Sequence, residues 1–203
     1  MEIFLVALVS YLSGSIPFGL LLTKIFGKID IRKIGSGNIG TTNVLRTGNK
    51  FLAASTLILD ILKGFIPVTF TIQYYPELSQ LSCLLAFLGH VFPFWLKFKG
   101  GKGVATYLGI LFALSIPLSL LFIFSWLTVS LIFKYSSLSS IFSTLTVFVV
   151  EFARSIVLES INKNTNTEVN ITLMLFIFFI LIVFTHRKNI SNLKNKSEKK
   201  IKI

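Results

Sequence analysis

Residues 35–43 read Gly35-Ser36-Gly37-Asn38-Ile39-Gly40-Thr41-Thr42-Asn43, and Arg46 follows them in a sequence that is otherwise very apolar. Three glycines in six residues let the backbone turn its N–H groups inward, and the Ser, Asn and Thr side chains add short donors. Arg46 adds a planar, permanently charged donor. Donors of these kinds on a flexible backbone predict a site that binds an anion such as phosphate.

The composition places the rest of the chain in a membrane. The 203 residues have a mean hydropathy of +0.80, with 53% hydrophobic and only 14% charged residues, whereas a water-soluble domain has about 25% charged residues. The net charge of +12 lies between and after apolar runs, which favours membrane orientation and anionic groups over nucleic acid. The single Cys83 cannot form an internal disulfide. The start, Met1-Glu2-Ile3, lacks the positive region of a cleavable signal peptide and is expected to begin the first span.

Apolar runs of membrane-spanning length predict an all-α integral membrane protein with seven transmembrane helices. Run 104–133 is ambiguous, because as one helix it would cover about 45 Å, whereas a break near Ser115-Ile116-Pro117 gives two short segments. With that break, 17 of the 20 Lys and Arg residues lie on one face, which the positive-inside rule makes cytoplasmic. The N-terminus and the loop 163–170 are then outside, and the C-terminus is cytoplasmic. The predicted spans are 3–25, 51–72, 78–96, two within 104–133, 141–158 and 171–185. Residues 1–186 are expected to form the membrane domain, and residues 187–203 a basic cytoplasmic tail.

A second stretch of the anion-binding kind, Lys97-Phe98-Lys99-Gly100-Gly101-Lys102-Gly103, follows the third span. Taken alone, it is also typical of a flexible basic turn that only marks the cytoplasmic face. A third polar stretch, residues 135–140, is rich in serine and lies on the same predicted face. Because three such stretches share one face, we expect the two glycine-rich loops to converge on one phosphorylated ligand.

Some charged and breaking residues lie inside the predicted spans. Asp60 and Lys63, and likewise Glu151 and Arg154, are spaced i, i+3 on one helical face. Each charge at mid-membrane would cost roughly 2.5 to 3.5 kcal/mol, so each is expected to be paired or to face a polar interior. Small residues and a proline within 13–19 predict a loosened first helix.

Two familiar nucleotide-binding patterns do not apply. Gly35 to Gly40 fits G-x-G-x-x-G and Asp60 lies 20 residues beyond Gly40, but that fingerprint requires a βαβ unit and not flanking membrane spans. Residues 100–103 lack the frame of a P-loop. Of the eight acids only Asp30, Asp60 and Glu198 can reach the cytoplasmic side, and no two acids are spaced i, i+3 or i, i+4. We therefore expect no metal site and no cofactor.

The chain has two histidines, His90 and His186. A lone histidine at a helix end is more often a structural or interfacial residue than a catalytic base. His186 begins a polar run that includes Arg187 and Asn189, so it is the better candidate for a functional role.

Several motifs in order resemble the bacterial acyl-phosphate-dependent glycerol-3-phosphate acyltransferases, the PlsY family. The resemblance is close up to about Ile141, weak over residues 142–184, and returns from His186 to Ile190. Asn192 stands where the family usually has an arginine, and Lys196 where it has a glycine before the acid matched by Glu198. The motifs are Ser13 to Gly19, Gly35 to Asn43 with Arg46, Asp60 with Lys63-Gly64, Gly89 to Pro93 leading into Lys97 to Thr106, Ser137 to Ile141, and His186-Arg187-Lys188-Asn189-Ile190.

This resemblance implies seven transmembrane helices in the bacterial cell membrane and transfer of a fatty acyl group from acyl-phosphate to the sn-1 hydroxyl of glycerol 3-phosphate. The products are lysophosphatidic acid and phosphate, in the first acylation step of phospholipid synthesis. No covalent acyl-enzyme is implied. The implied partners are both substrates, membrane lipids and the soluble enzyme that makes acyl-phosphate. The implied catalytic residues are Arg46, Lys102, Ser140, His186 and Asn189, and the implied substrate-binding residues are Ser36, Gly37, Asn38, Gly40, Thr41, Asn43, Gly101, Gly103 and Ser137.

A transporter or channel for a phosphorylated anion is the alternative, since it could use the same basic loops. Such proteins often contain paired interrupted helices in two similar halves, which this sequence lacks. All the recognisable polar motifs also lie on one predicted face. Both observations favour the acyltransferase.

Overall fold

A computed structural model describes residues 1–161 and 171–201 of the chain, and the predicted outer loop 163–170 lies outside them. Every regular element in these two ranges is a helix. Short 3-10 helices cover Ile31–Lys33, Pro76–Leu78 and Phe94–Leu96. The α-helices are α1 (Glu2–Ser15), α2 (Phe18–Ile25), α3 (Thr41–Leu45), α4 (Lys50–Tyr74), α5 (Ser79–Val91), α6 (Val104–Leu114), α7 (Ile116–Phe133), α8 (Ser136–Ile161), α9 (Thr172–Thr185) and α10 (Arg187–Lys194).

The predicted loosening of the first helix is a break at Ile16 and Pro17, where α1 and α2 meet at 43°. Proline has no N–H for the helix ladder, and it pushes the residue before it out of helical geometry, so Ile16 is extended with ψ 117°. The carbonyls that the break leaves without helical partners accept side-chain donors instead. Trp95 Nε1 donates to the Ser15 carbonyl at 2.8 Å, and Lys63 Nζ to the Ile16 carbonyl at 2.7 Å.

The chain forms two compact units, Met1–Ile116 and Pro117–Ile203. In the first unit, glycines lie where helices cross. Gly14 and Gly89 bring the backbones of α1 and α5 together, and Gly64 and Gly109 do the same for α4 and α6. A Cβ at any of these four positions would overlap the backbone of the facing helix, so small residues are what permits this packing.

The predicted break in 104–133 is confirmed, with extended Ser115 separating α6 from α7. The division is uneven, because the 11 residues of α6 cover about 16 Å and the 18 residues of α7 about 27 Å. In the described part of the chain, four helices are long and apolar enough to cross a membrane, or six if each bent pair is one span. Helix α6 is too short to add a seventh by length alone. Seven spans, an outer N-terminus and a cytoplasmic C-terminus therefore stay predictions.

The second unit contains α7 to α10, and α8 packs against α9. The predicted pair within α8 is formed, since Arg154 donates from Nε and Nη2 to the two oxygens of Glu151, each at 2.9 Å. Helices α9 and α10 meet at 58° around His186. The division into a membrane domain, residues 1–186, and a basic tail, 187–203, stays a prediction.

Candidate functional site

The first loop, residues 35–46, has two glycines in the left-handed region. Gly35 has φ 58° and Gly37 has φ 71°, which residues with a Cβ rarely adopt. Gly37 N–H closes a turn by donating to the Ile34 carbonyl at 2.9 Å. A side chain at Gly35 would also collide with the Asn43 amide. Gly35 and Gly37 are thus required by this geometry, whereas Gly40 has an ordinary φ of −84° and space for a Cβ.

Asn43 holds the first loop in shape. The residue is 2% exposed, and its side-chain Nδ2 donates to the carbonyls of Ile31 at 3.0 Å, Ile34 at 3.0 Å and Asn38 at 2.8 Å. Its Oδ1 accepts the Ser36 N–H at 3.0 Å. These contacts make Asn43 a scaffold residue, because both ends of its amide bind backbone groups of the loop or of the segment just before it. Its direct contact with a substrate stays a prediction.

Arg46 lies beside this backbone and is half-buried. Its Nη1 lies 3.3 Å from the point where a Cβ of Gly35 would be. Among residues 1–161 and 171–201, Arg46 is in no ion pair. Asp30, the acid of the preceding segment, contacts Arg32 at 2.6 Å, and the Arg32 side-chain hydrogen bond holds the pKa of Asp30 well below its ordinary value. The loop therefore offers an arginine with no acid of its own.

Hydroxyl and amide groups surround the same backbone. Thr41 Oγ1 is buried at the start of α3, and it has no hydrogen-bond partner within the described ranges. Asn38 Oδ1 accepts the Gly40 N–H at 3.0 Å, and Ser36 is exposed. The structure thus brings together all seven site residues predicted in this loop: Ser36, Gly37, Asn38, Gly40, Thr41, Asn43 and Arg46.

The second loop, residues 97–103, starts beside the first. Leu96 packs against the same hydrophobic cluster as Ile31, Ile39 and Val44 of the first loop region. This packing agrees with the expectation that the two loops lie close together. Their convergence on one ligand stays a prediction.

Three residues of the second loop have positive φ: Lys97 with 51°, Phe98 with 60° and Gly103 with 84°. The first two are unusual for residues with side chains, and backbone bonds hold the turn, including Phe98 N–H to the Pro93 carbonyl at 3.0 Å. Lys102 is partly buried and directly precedes Gly103, the N-cap of α6. The lysine predicted to bind phosphate therefore has its backbone fixed by the start of a helix.

The second loop rests on the end of α5. Gly100 and Gly101 donate their N–H groups to the carbonyls of Val91 at 3.0 Å and His90 at 3.1 Å. These carbonyls belong to the last turn of the helix and have no helical donors of their own. The glycines allow the close approach, since a Cβ at either position would overlap His90.

Beneath this loop lies a buried polar cluster of Asp60, Lys63, His90 and Thr106, each at most 4% exposed. The predicted ion pair is confirmed, with Lys63 Nζ 2.8 Å from Asp60 Oδ1. His90 Nδ1 lies 3.1 Å from Thr106 Oγ1 and 3.9 Å from Asp60 Oδ1. Sequence reasoning treated His90 as a lone histidine at a helix end and did not place Thr106 beside it.

In the second unit, three donors converge on one carboxylate, and we call Ser137, Asn189, Asn192 and Glu198 the tail cluster. Ser137 Oγ and Asn189 Nδ2 donate to Glu198 Oε1 at 3.0 and 2.6 Å, and Asn192 Nδ2 donates to Oε2 at 3.3 Å. Sequence reasoning matched Glu198 to an acid of the family but did not predict these contacts. Ser137 and Asn189, both predicted to bind phosphate, thus already bind an anion of the chain.

Ser140 and His186 are the other predicted site residues of this unit, and both are buried. Ser140 Oγ donates to the Ser136 carbonyl at 2.8 Å and accepts from Trp126 Nε1 at 3.2 Å. His186 Nδ1 lies 2.8 Å from the Ile182 carbonyl. Because a carbonyl only accepts, this contact places a proton on Nδ1 and the lone pair of a neutral ring on Nε2.

Comparisons with known proteins, by sequence and by structure, point to one family. A family model described as glycerol-3-phosphate acyltransferase matches residues 4–196. The glycerol-3-phosphate acyltransferase of Pelagibacter ubique (strain HTCC1062) is 56% identical over 203 residues, covering 100% of both chains. That of Wolbachia sp. subsp. Brugia malayi (strain TRS) is 47% identical over 205 residues, covering 98% of this chain and 99% of the relative.

Two crystal structures of PlsY, described as an integral membrane glycerol 3-phosphate acyltransferase, share the fold. The glycerol 3-phosphate form has a TM-score of 0.88 at 35% identity and covers 100% of this chain and 96% of that one. The lysophosphatidic acid form has a TM-score of 0.86 at 34% identity, with 98% and 95% covered. Sequence and fold agree over nearly the whole length, and the chain belongs to the glycerol-3-phosphate acyltransferase family.

Proposed function

We propose that this protein transfers a fatty acyl group from acyl-phosphate to the sn-1 hydroxyl of glycerol 3-phosphate at the bacterial cell membrane. The observation that carries the proposal is Arg46, which lies against a preshaped glycine loop and is in no ion pair within the described residues. The resemblance of the sequence motifs to the family is the basis for proposing acyl-phosphate as the acyl donor and the sn-1 hydroxyl as the position of acylation. Glycerol 3-phosphate is the molecule bound in one of the solved relatives.

In the proposed reaction, the sn-1 oxygen attacks the carbonyl carbon of acyl-phosphate and the bond from that carbon to the phosphate oxygen breaks. The products are lysophosphatidic acid and inorganic phosphate, and the hydroxyl proton passes to the departing phosphate. Because phosphate already activates the carbonyl, orientation and stabilisation of developing charge are sufficient, and no acyl-enzyme is needed. Arg46 and Lys102 are proposed to neutralise the phosphates.

Because the resemblance implies them, Ser137, Ser140, His186 and Asn189 are also proposed as substrate contacts. In the neutral tautomer described above, Nε2 of His186 can accept a hydrogen bond or a proton. Membrane lipids and the soluble enzyme that makes acyl-phosphate are the further proposed partners. The proposed location is a multi-pass position in the bacterial plasma membrane, which agrees with the apolar helices of spanning length.

The test is an assay of purified protein with glycerol 3-phosphate and three alternative donors: acyl-phosphate, acyl-CoA and acylated acyl carrier protein. We expect lysophosphatidic acid acylated at sn-1, with one inorganic phosphate released per product, from acyl-phosphate only. Product from another donor would refute the proposed donor. Absence of acyl transfer together with uptake of glycerol 3-phosphate by sealed vesicles would support a transporter.

We also propose that the reaction needs no metal. The described residues contain no group of three or more His, Cys, Asp and Glu side chains that could hold an ion, and the first loop supplies a cation from the protein. Acyl transfer should persist in excess EDTA and fall with added salt or inorganic phosphate, because these ions screen or occupy the cationic site. Loss of activity in EDTA and its recovery on adding magnesium would contradict this proposal.

A further inference from the structure

His90 is a buried residue that the proposed reaction does not use. It lies at the end of α5 and is 4% exposed. One edge of its ring faces the buried polar groups, with Nδ1 at 3.1 Å from Thr106 Oγ1 and 3.9 Å from Asp60 Oδ1. The same residue contacts the second loop, so His90 connects the buried cluster to the loop that carries Lys102.

The opposite edge of the ring contacts Gly101. A Cβ added to Gly101 would overlap His90 Nε2 and lie 2.9 Å from Cε1 and 3.0 Å from Cδ2. Gly101 N–H also donates to the His90 carbonyl at 3.1 Å. The ring and the carbonyl of His90 together fix the position and direction of the backbone at Gly101.

We propose that His90 is a positioning residue that sets the place of Lys102. Lys102 follows Gly101 directly, so a shift of the Gly101 backbone moves the Lys102 ammonium. In a site that works by orientation, misplacement by about 1 Å costs on the order of a hundredfold in rate. This inference rests on the proposed function, in which Lys102 binds a substrate phosphate.

Its support is a chain of contacts across three helices. Lys63 Nζ lies 2.8 Å from Asp60 Oδ1 and donates to the carbonyl of Ile16 at 2.7 Å. These two contacts hold the Asp60 carboxylate in place within the helix bundle. Gly64 packs against the backbone of Thr106, so α4 and α6 hold the two groups that face His90 Nδ1 at a fixed separation. The ring is therefore confined on one side by buried polar atoms and on the other by Gly101.

The test is a pair of double-mutant cycles. His90→Asn keeps an amide near the position of Nδ1 but removes the ring edge that touches Gly101. Gly101→Ala places a methyl group on that ring edge, and Gly100→Ala places one on the His90 carbonyl and on Pro93, which His90→Asn leaves in place. Gly100→Ala is thus the matched control, with the same chemical change beside the same residue.

We expect His90→Asn and Gly101→Ala each to lower kcat/KM at least about tenfold. The double variant His90→Asn/Gly101→Ala should be at least about fivefold more active than Gly101→Ala alone, because contacting residues are not additive. The loss of kcat/KM in His90→Asn/Gly100→Ala should equal the product of the fold-losses in the two single variants. Additive losses in both cycles, or full activity of His90→Asn at an unchanged melting temperature, would overturn the inference.

Two further readouts keep the result interpretable. Wild-type acyl transfer in the same assay tests the proposed function separately from the position of Lys102. Calorimetric binding of glycerol 3-phosphate should rank the variants as kcat/KM does, and this measurement needs no acyl transfer. If Gly101→Ala does not fold, His90→Asn alone decides: weaker binding at a near-normal melting temperature supports positioning, and unchanged binding refutes it.

Discussion

The first loop and the tail cluster contain similar donors but use them in opposite ways. In the first loop, the Asn43 side chain binds backbone groups of residues 31–38, and Arg46 is in no ion pair within the part of the chain that the structure describes. In the tail cluster, Ser137 and Asn189 both donate to Glu198. We propose that the first loop is a preshaped site for an anion, whereas the tail cluster already holds an anion supplied by the chain, the Glu198 carboxylate.

The difference has an energetic consequence. An anion that enters the first loop meets a cation without having to displace an internal acid. A phosphate that approaches Ser137 or Asn189 must compete with a carboxylate held by charge-assisted bonds, the shortest being 2.6 Å. Substitution of Arg46 should therefore reduce activity mainly through substrate binding, and substitutions in the tail cluster should reduce stability first.

The largest effect is expected for Arg46→Ala. Loss of a charge-assisted contact costs roughly 1.5 to 3 kcal/mol, or about tenfold to a hundredfold in kcat/KM, and more if the contact forms mainly in the transition state. Expression and melting temperature should stay near wild type, since Arg46 is in no ion pair within the ranges the structure covers. The matched control is Lys33→Ala, an exposed cation of the same segment, with kcat/KM expected within about twofold of wild type. Equal activity of Arg46→Ala and wild type would mean that the loop is not the site.

Asn43→Asp should act on the shape of the loop. The substitution keeps the size of the side chain but turns the Nδ2 donor into an oxygen that faces three carbonyls. Unsatisfied buried groups cost about 1 to 3 kcal/mol, so the free energy of unfolding and the activity should fall together. In the control Asn38→Asp, the acceptor for Gly40 N–H is kept, and the loss of stability should be smaller. A stable Asn43→Asp protein with weakened substrate binding would indicate a direct ligand instead of a scaffold.

The sequence predicts a contact best when the two interacting residues are close together along the chain. The breaks before Pro17 and Pro117 and the i, i+3 ion pairs follow from local rules, and the structure has them. The first and second loops were recognisable as candidate anion sites from their glycines and cations. The contact of Ser137 with Glu198 joins residues 61 apart, and no local rule indicates it.

The same limit explains why the role of Asn43 was missed. In the sequence it is one more polar residue of a donor-rich stretch, and only the folded loop brings three carbonyls to its Nδ2. The place of Gly101 on the His90 ring likewise depends on how the loop folds back on α5. Sequence pattern supplied the chemistry of the site, but tertiary contacts determine which donors remain available.

Glu198→Gln should separate stability from catalysis in the tail cluster. Glutamine keeps an oxygen acceptor but has no charge, so the bonds from Ser137 and Asn189 weaken. The free energy of unfolding should fall by about 1 kcal/mol, the difference between charged and neutral hydrogen bonds, and activity should fall less than in Arg46→Ala. Glu159→Gln is the control, because Glu159 is exposed on α8. A large loss of activity with no loss of stability would show that the carboxylate acts in the reaction and is not only a structural acceptor.

The smallest effect is expected for Asp30→Asn, which tests whether Asp30, the acid that binds Arg32, leaves Arg46 without competition. Arg32 binds Asp30 at 2.6 Å and lowers its pKa below the ordinary value of 3.8, so the folded state holds this proton less tightly than the unfolded chain. The stabilisation is therefore present above about pH 3.8 and is lost as the pH falls below it. Chemical unfolding should show a small difference between wild type and Asp30→Asn near neutral pH that disappears in acid and shrinks with added salt, because both side chains are partly exposed.

Glu77→Gln, which removes an exposed charge, is the matched control. Glycerol 3-phosphate binding should be unchanged in Asp30→Asn; tighter binding would mean that Asp30 competes for Arg46, and the first loop would then resemble the tail cluster.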